Sequence, residues 1–230
     1  MFTVSPSIAP EIYRIAPGFR ALSIHVKAAP VLNPDIGETA LQEACEAVLS
    51  GEPEWAEAHL AAWAEVFQQL SAKPKRTPCS ADALRKRVLR DGTMPALDPI
   101  VDLYNAVSLR YAIPVGGENI AAYQGGPRLA VAKGTEPFDT VKDGETAIEY
   151  PSQGEVIWCD DAGVTCRRWN WRQGIRTRLN VEAQQMWFIL ESLPQMPLEK
   201  LYEAGKMLTD GLEKMMPGLW FDVALIDEQQ

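Results

Sequence analysis

The chain has 230 residues, a formal net charge of −9 and 47% hydrophobic residues, enough apolar material for one sizeable core. That charge argues against a general nucleic-acid binder, no stretch reaches membrane-spanning length, and HExxH, Walker, GxGxxG and nucleophile-elbow motifs are all missing. The four cysteines (Cys45, Cys79, Cys159, Cys166) form no CxxC pair, which speaks against a zinc ribbon. Without a signal peptide in view, they point to free thiols in a reducing cytoplasm. No metal or cofactor is expected.

Residues Phe2 to Val31 read as extended structure with turns, and Leu22 to Lys27 alternates as a half-buried strand does. Two helices follow. Glu38 to Leu49 carries Leu41, Cys45 and Leu49 at four-residue spacing. The second helix opens near Pro53 and has Trp55, His59, Ala62, Trp63, Val66, Phe67 and Leu70 on its apolar stripe. His59 is therefore expected in the core. Lys73 to Pro78 is a basic, proline-broken loop, and Ser80 is placed to cap a helix over Ala81 to Arg90. Leu84 and Val88 would face inward there, while Arg85, Lys86 and Arg87 need solvent or a partner. Ile100 to Tyr111 reads as a largely buried helix on which Asn105 is either a structural clamp or a site residue. Ile113 to Gly117 reads as a glycine turn, whose Gly116 and Gly117 amides could approach a ligand closely; Glu118 follows. Short strands come next: Arg128 to Ala132, Glu145 to Glu149, and a hairpin from Glu155 to Arg172. Asn180 would cap a helix running to about Leu193. Pro197 would open a last helix with Leu198, Leu201, Tyr202, Leu208, Leu212 and Met215 inward. Leu219 to Ile226 would form a strand or a packed extension. Helices, a strand-rich centre and helices again define an α+β chain.

Positive charge is segregated. Lys73 to Arg90 and Arg167 to Arg178 hold 12 of the 22 basic residues and one of the 31 acids, Asp82. In Cys166 to Arg178 (CRRWNWRQGIRTR), strand alternation would put Trp169 and Trp171 on the core face and Arg168, Asn170 and Arg172 on the other. Planar donors held on a rigid strand suit a carboxylate, a phosphate or a nucleotide. Two blander outcomes stand beside this: solvated arginines over packed tryptophans, or basic segments fully paired with the acidic excess.

Four segments carry a resemblance: Asp102 to Ile120 (DLYNAVSLRYAIPVGGENI), Arg128 to Phe138, Gly154 to Asp160 and Cys166 to Gln173. In this order they resemble the B3/B4 domain of the phenylalanyl-tRNA synthetase beta subunit, and more closely the free-standing proteins built on that domain. The resemblance covers about Tyr13 to Glu182. It implies a β-sandwich-like, strand-rich centre wrapped by N- and C-terminal helices. The whole of 1–230 would be one such domain, with 183–230 a C-terminal helical extension. It also implies tRNA binding and trans-editing hydrolysis of mischarged aminoacyl-tRNA esters. Asn105 matches the family's site asparagine. Gly116 stands where the family has a histidine, and its site glutamate is missing unless Glu118 or Glu155 replaces it.

Three readings follow. In an aminoacyl-tRNA deacylase, Glu118 would position or deprotonate water and Arg168 or Arg172 would stabilise the oxyanion. Asn105, Gly116, Gly117, Asn170 and Gln173 would hold the aminoacyl end, while Lys73, Lys75, Arg76, Arg85, Lys86, Arg176 and Arg178 would meet tRNA phosphates. In a non-catalytic module for RNA or a small anionic ligand such as an amino acid, Arg168, Asn170 and Arg172 would clamp a carboxylate or phosphate and nothing would turn over. In an interaction protein, the arginines would all pair with Asp and Glu.

Overall fold

The computed structural model describes residues 5–70 and 76–228, so Lys73 and Lys75 lie outside the described residues. The fold is α+β. The elements run β1 (Ser7–Ile8), α1 (Pro10–Ile15), β2 (Arg20–Lys27), α2 (Asp35–Leu49), α3 (Ala56–Gln69), α4 (Ser80–Asp91), α5 (Pro99–Tyr111) and β3 (Val115–Asn119). After a short 3-10 turn come β4 (Arg128–Val131), β5 (Phe138–Lys142), β6 (Glu145–Glu149), β7 (Val156–Cys159), β8 (Val164–Arg167), β9 (Arg172–Gln173), β10 (Gln185–Ser192), α6 (Leu198–Met215) and β11 (Trp220–Ile226). No helix among the described residues is long and apolar enough to cross a membrane.

The larger sheet has the order β1-β4-β7-β8-β5-β6, with β9 on β8; the smaller has the order β11-β2-β10-β3. Each buried strand divides its side chains by alternation. From β2 and β10, Leu22, Ile24, Val26, Met186, Phe188 and Leu190 face α5 and α6 in one core. The opposite face of β10 sends Trp187 and Ile189 into a second core. They meet Leu129, Val156 and Trp158 of the larger sheet there, with Trp63 and Phe67 of α3 beside them. The two sheets thus share a core in a sandwich-like arrangement.

Several sequence expectations change. The helix expected from Asn180 to Leu193 is instead β10, paired with β2 on one side and β3 on the other. A strand buried on both faces reads as a continuous apolar run, which periodicity cannot tell from a buried helix. The Asn180 side chain accepts from the Glu182 amide in a local turn, which imitates a helix cap. Residues 183–230 accordingly supply the strands β10 and β11 as well as the helix α6. The expected glycine turn is the strand β3. A Cβ on Gly117 would lie 2.8 Å from the Tyr104 ring, and one on Gly116 would lie 3.2 Å from Ile189, so these glycines serve close packing. Tyr202 is exposed, and so is Leu49, because successive four-residue steps drift off a 3.6-residue helix face.

His59 is a core residue, as its place on the stripe predicts. Its Nδ1 donates to the Ala112 carbonyl at 2.8 Å, and its Nε2 accepts from the Leu193 amide at 3.0 Å. Only a neutral ring does both. Burial lowers its pKa to about 4, more than the Ala112 hydrogen bond raises it. The unfolded chain, with an ordinary histidine near 6.5, binds the proton that the native ring refuses. Stability contributed by His59 is therefore complete above about pH 6.5 and falls as pH drops toward 4, by about 3 kcal/mol at most. Urea unfolding of wild type and His59→Gln between pH 4 and 7 checks this: the difference between the two should shrink as pH falls.

Candidate functional site

Glu191 is the only acid in the apolar run of β10 and shares a strand face with Trp187 and Ile189. Its Oε1 accepts from the indole N–H groups of Trp158 and Trp169, each at 2.9 Å, and its Oε2 accepts from Asn170 Nδ2 at 2.9 Å. The carboxyl is 1% exposed. Burial raises its pKa to about 7 against these three donors, none of them charged.

Glu118 lies across the ladder on β3, in register with Trp187. Its Oε1 accepts from Gln173 Nε2 and Thr177 Oγ1, both at 3.1 Å. Its Oε2 is buried without a protein partner. Burial again raises the pKa to about 7, opposed by the Gln173, Thr177 and Thr165 side chains and weakly by Arg176.

Both glutamates line a cavity of about 380 Å³. Trp158, Trp169, Trp171, Trp187 and Tyr104 supply aromatic wall, α4 contributes Ser80 and Arg87, and the rest of the boundary includes Asn105, Gly116, Gly117, Asn170, Arg172 and Gln173. The carboxylates are buried, whereas Arg87 is exposed and Arg172 half-buried. The site is thus acidic at its floor and basic at its rim. Three buried polar atoms on this wall have no partner: Ser80 Oγ, Glu118 Oε2 and Asn170 Oδ1. Ser80 does not make the expected cap; it is the first residue of α4, and its amide donates to the Asn170 carbonyl at 3.2 Å. Cys166 also lines the cavity, and burial beside Glu118 and Glu191 holds its thiol well above the ordinary range. It is therefore a poor nucleophile.

The structure brings seven of the residues named from sequence to this one cavity: Asn105, Gly116, Gly117, Glu118, Asn170, Arg172 and Gln173. Arg168 is not among them. Arg168 and Trp169 adopt left-handed backbone (φ 47° and 66°), so strand alternation stops at β8. The turn carries Trp169 and Asn170 inward, stacks Arg168 on the Trp171 ring at 4.8 Å, and leaves Arg168 beside Phe67, Leu70 and Gln153 instead.

The phosphate-binding set also divides. Arg85 is buried, and its Nη1 donates to the Leu109 carbonyl near the end of α5. Arg176 is held by Asp160 through two 2.8 Å contacts and donates to the Ala122 carbonyl. Neither presents its guanidinium freely. Arg76, Lys86 and Arg178 are exposed, Lys86 with Asp82 at 2.6 Å. Sequence reading missed Glu191, Trp158, Trp187, Tyr104, Ser80 and Arg87 as site residues. One signal was present: a single acid inside an apolar run must find buried donors.

The chain is an α+β sandwich with a tryptophan-walled cavity between its sheets. Residues 62–214 match the family model of the B3/4 domain, and the chain belongs to that family. Among solved structures, it is similar to an N-terminal fragment of the phenylalanyl-tRNA synthetase beta subunit from Pyrococcus horikoshii. The identity is 10% and the TM-score 0.48, over 99% of this chain and 55% of that one. The chain thus spans about half the length of that fragment. A search of curated proteins returned no match.

Glu191→Leu is expected to destabilise the fold by at least about 3 kcal/mol, because three buried donors lose their acceptor. Glu191→Gln should cost less: its oxygen still accepts from both indoles, and Asn170 can rotate its amide to match. Chemical denaturation of the two variants distinguishes the outcomes; equal losses would contradict the donor assignment.

Proposed function

We propose that this protein binds the aminoacylated end of tRNA and hydrolyses the ester of mischarged aminoacyl-tRNA. Membership of the B3/4 domain family supports a tRNA-related role. The observation that carries the hydrolytic reading is the Glu118 carboxyl, buried at a cavity wall with a pKa of about 7 and one oxygen without a protein partner. Such a group is a competent general base at neutral pH. Water attacks the ester carbon and gives its proton to Glu118. The tetrahedral oxyanion faces the rim, where Arg172, which stands there with Arg87, would stabilise it. The bond to the ribose oxygen then breaks, and Glu118 returns the proton to that leaving oxygen. Arg168, outside the cavity, has no part in this scheme. Arg76, Lys86, Arg87 and Arg178 are exposed cations that would meet phosphates.

A second reading is a non-catalytic binding module for RNA or a small ligand. Gly116 in place of the family's histidine and a Cys166 held as thiol favour it.

Deacylation of a panel of correctly and wrongly charged tRNAs tests the reading. One mischarged species should be cleaved, with kcat/KM rising with pH and levelling above about 7, since the base acts ionised. Glu118→Gln should lower the rate about 10²- to 10⁴-fold. Arg172→Ala should cost at least about tenfold, whereas Arg168→Ala should stay near wild type. If no ester is cleaved at high enzyme concentration, the binding-module reading stands instead.

Salt dependence tests the phosphate contacts. The slope of log affinity for tRNA against log salt should fall by about one unit in Arg87→Ala. Arg85→Ala should lower stability and leave the slope unchanged, because that guanidinium is spent on the Leu109 carbonyl.

A further inference from the structure

The floor of the cavity has a polarity that the deacylase reading does not itself require. Asn170 is held so that Nδ2 donates to Glu191, a group whose carboxylate can only accept. The amide oxygen is thereby turned away from Glu191. It is buried and without a protein partner, as is Ser80 Oγ on the same wall, which can accept as well as donate. Asn170 is 8% exposed and Glu191 1%. Behind Asn170 stands a carboxylate whose three donors are all neutral. Around them are indole rings, with Trp158 and Trp187 edge-to-face at 5.2 Å. Acceptors, an uncompensated acid and aromatic rings together form a setting for a cation that also donates hydrogen bonds.

We propose that this floor takes the free α-ammonium group of the aminoacyl moiety, with Asn170 Oδ1 as its contact and Glu191 as counter-charge and orienting group, so that the site accepts unblocked aminoacyl groups and rejects N-acylated ones. The inference rests on the aminoacyl reading above and names the substrate class for the same site. With the ammonium inward, the ester carbonyl lies toward Glu118 and the ribose points to the rim, where Arg87 and Arg172 stand. An N-formyl or N-acetyl group removes the positive charge and two of three donors and adds a carbonyl oxygen that Asn170 Oδ1 cannot bond. Glu118, Cys166 and Tyr104 are the other titratable groups on the wall, and Arg87 and Arg172 are its cations. Among the described residues, no cation bonds Glu191.

The test is calorimetric binding of non-hydrolysable probes: L-phenylalaninamide and L-leucinamide, each beside its desamino analogue (3-phenylpropanamide, 4-methylpentanamide) and its N-acetyl derivative. At least one amine probe should bind at least about tenfold more tightly than both counterparts. Its binding should release protons at pH 7, seen as a dependence of the heat on buffer ionisation enthalpy, because the incoming cation drives Glu191 to its charged form. In Glu191→Gln, Asn170 can turn its NH₂ toward the cavity, and the preference for the amine should vanish in a folded protein. Equal affinity for amine and desamino probes, retained preference in Glu191→Gln, or no binding of any amine at millimolar concentration would each overturn the inference. Ester hydrolysis with equal affinity for amine and desamino probes would leave the deacylase reading intact; amine-selective binding without hydrolysis would remove the deacylase alone.

Discussion

Glu191 is the constraint on which the site depends. A carboxyl group buried between two sheets must be surrounded by donors, and a buried indole N–H must find an acceptor. The structure meets both needs with one set of contacts. Because the acid sits on the central strand of the smaller sheet and its donors come from β7 and the turn after β8, the contacts fix how the sheets face each other. They also set the rotation of Trp158 and Trp169. The turn at Arg168 and Trp169 holds two successive non-glycine residues in left-handed backbone, a conformation that costs about 1–3 kcal/mol per residue. It is clamped from both sides. Glu191 holds the side chains of Trp169 and Asn170, while Glu155 accepts from the Arg168 amide at 3.0 Å and from the Arg167 guanidinium at 2.8 and 2.9 Å.

Seen this way, the arginine-rich stretch is mainly internal architecture. Arg167 pairs with Glu155 and Glu149, and its guanidinium is held charged above all by the Glu155 bonds. Arg176 locks Asp160, whose own burial pulls its pKa up while Arg176 and backbone amides bring it below the usual carboxylate range. Asp160 also accepts from the amides of Gln124, Ala162 and Gly163, so this pair closes the β7–β8 turn. The acidic excess of the chain absorbs much of the positive charge of this segment, as the paired-charge alternative anticipated, and only part of it reaches the cavity rim.

The fold was legible wherever side-chain period and element agree. The α3 stripe can be read from spacing alone, because that helix buries one face and leaves the other wet, and α5 from an apolar run long enough for a helix. It failed where an element is buried on both faces: β10 looked helical because alternation carries no signal in a strand without a polar side. The site was half legible. Asn105, Glu118, Asn170 and Gln173 were reachable as polar residues amid apolar neighbours or through family motifs. Glu191 was not singled out, because nothing local announces that Trp158, 33 positions earlier, will face it. Strand alternation applied to Cys166–Arg172 misplaced Arg168, since the left-handed backbone of Arg168 and Trp169 ends the strand before it reaches them.

The polarity of the cavity follows from the same economy of donors. Both indole N–H groups of Trp158 and Trp169 and one amide hydrogen of Asn170 are given to Glu191, which leaves ring faces and the unpartnered Asn170 amide oxygen on this wall. Gln173 is spent in the same manner on Glu118 and the Gly117 carbonyl. The indole and Gln173 donors of this floor are thus consumed internally, which biases it toward accepting. The arginines cannot reverse this, because the two that line the cavity stand at its rim. Burying Trp169 and Trp187 (each 0–1% exposed) contributes on the order of 2–3 kcal/mol apiece. That packing offsets the desolvation of two carboxyl groups and the unpaired Glu118 oxygen, and so the fold holds open an acceptor-lined space that a well-packed apolar core would have closed.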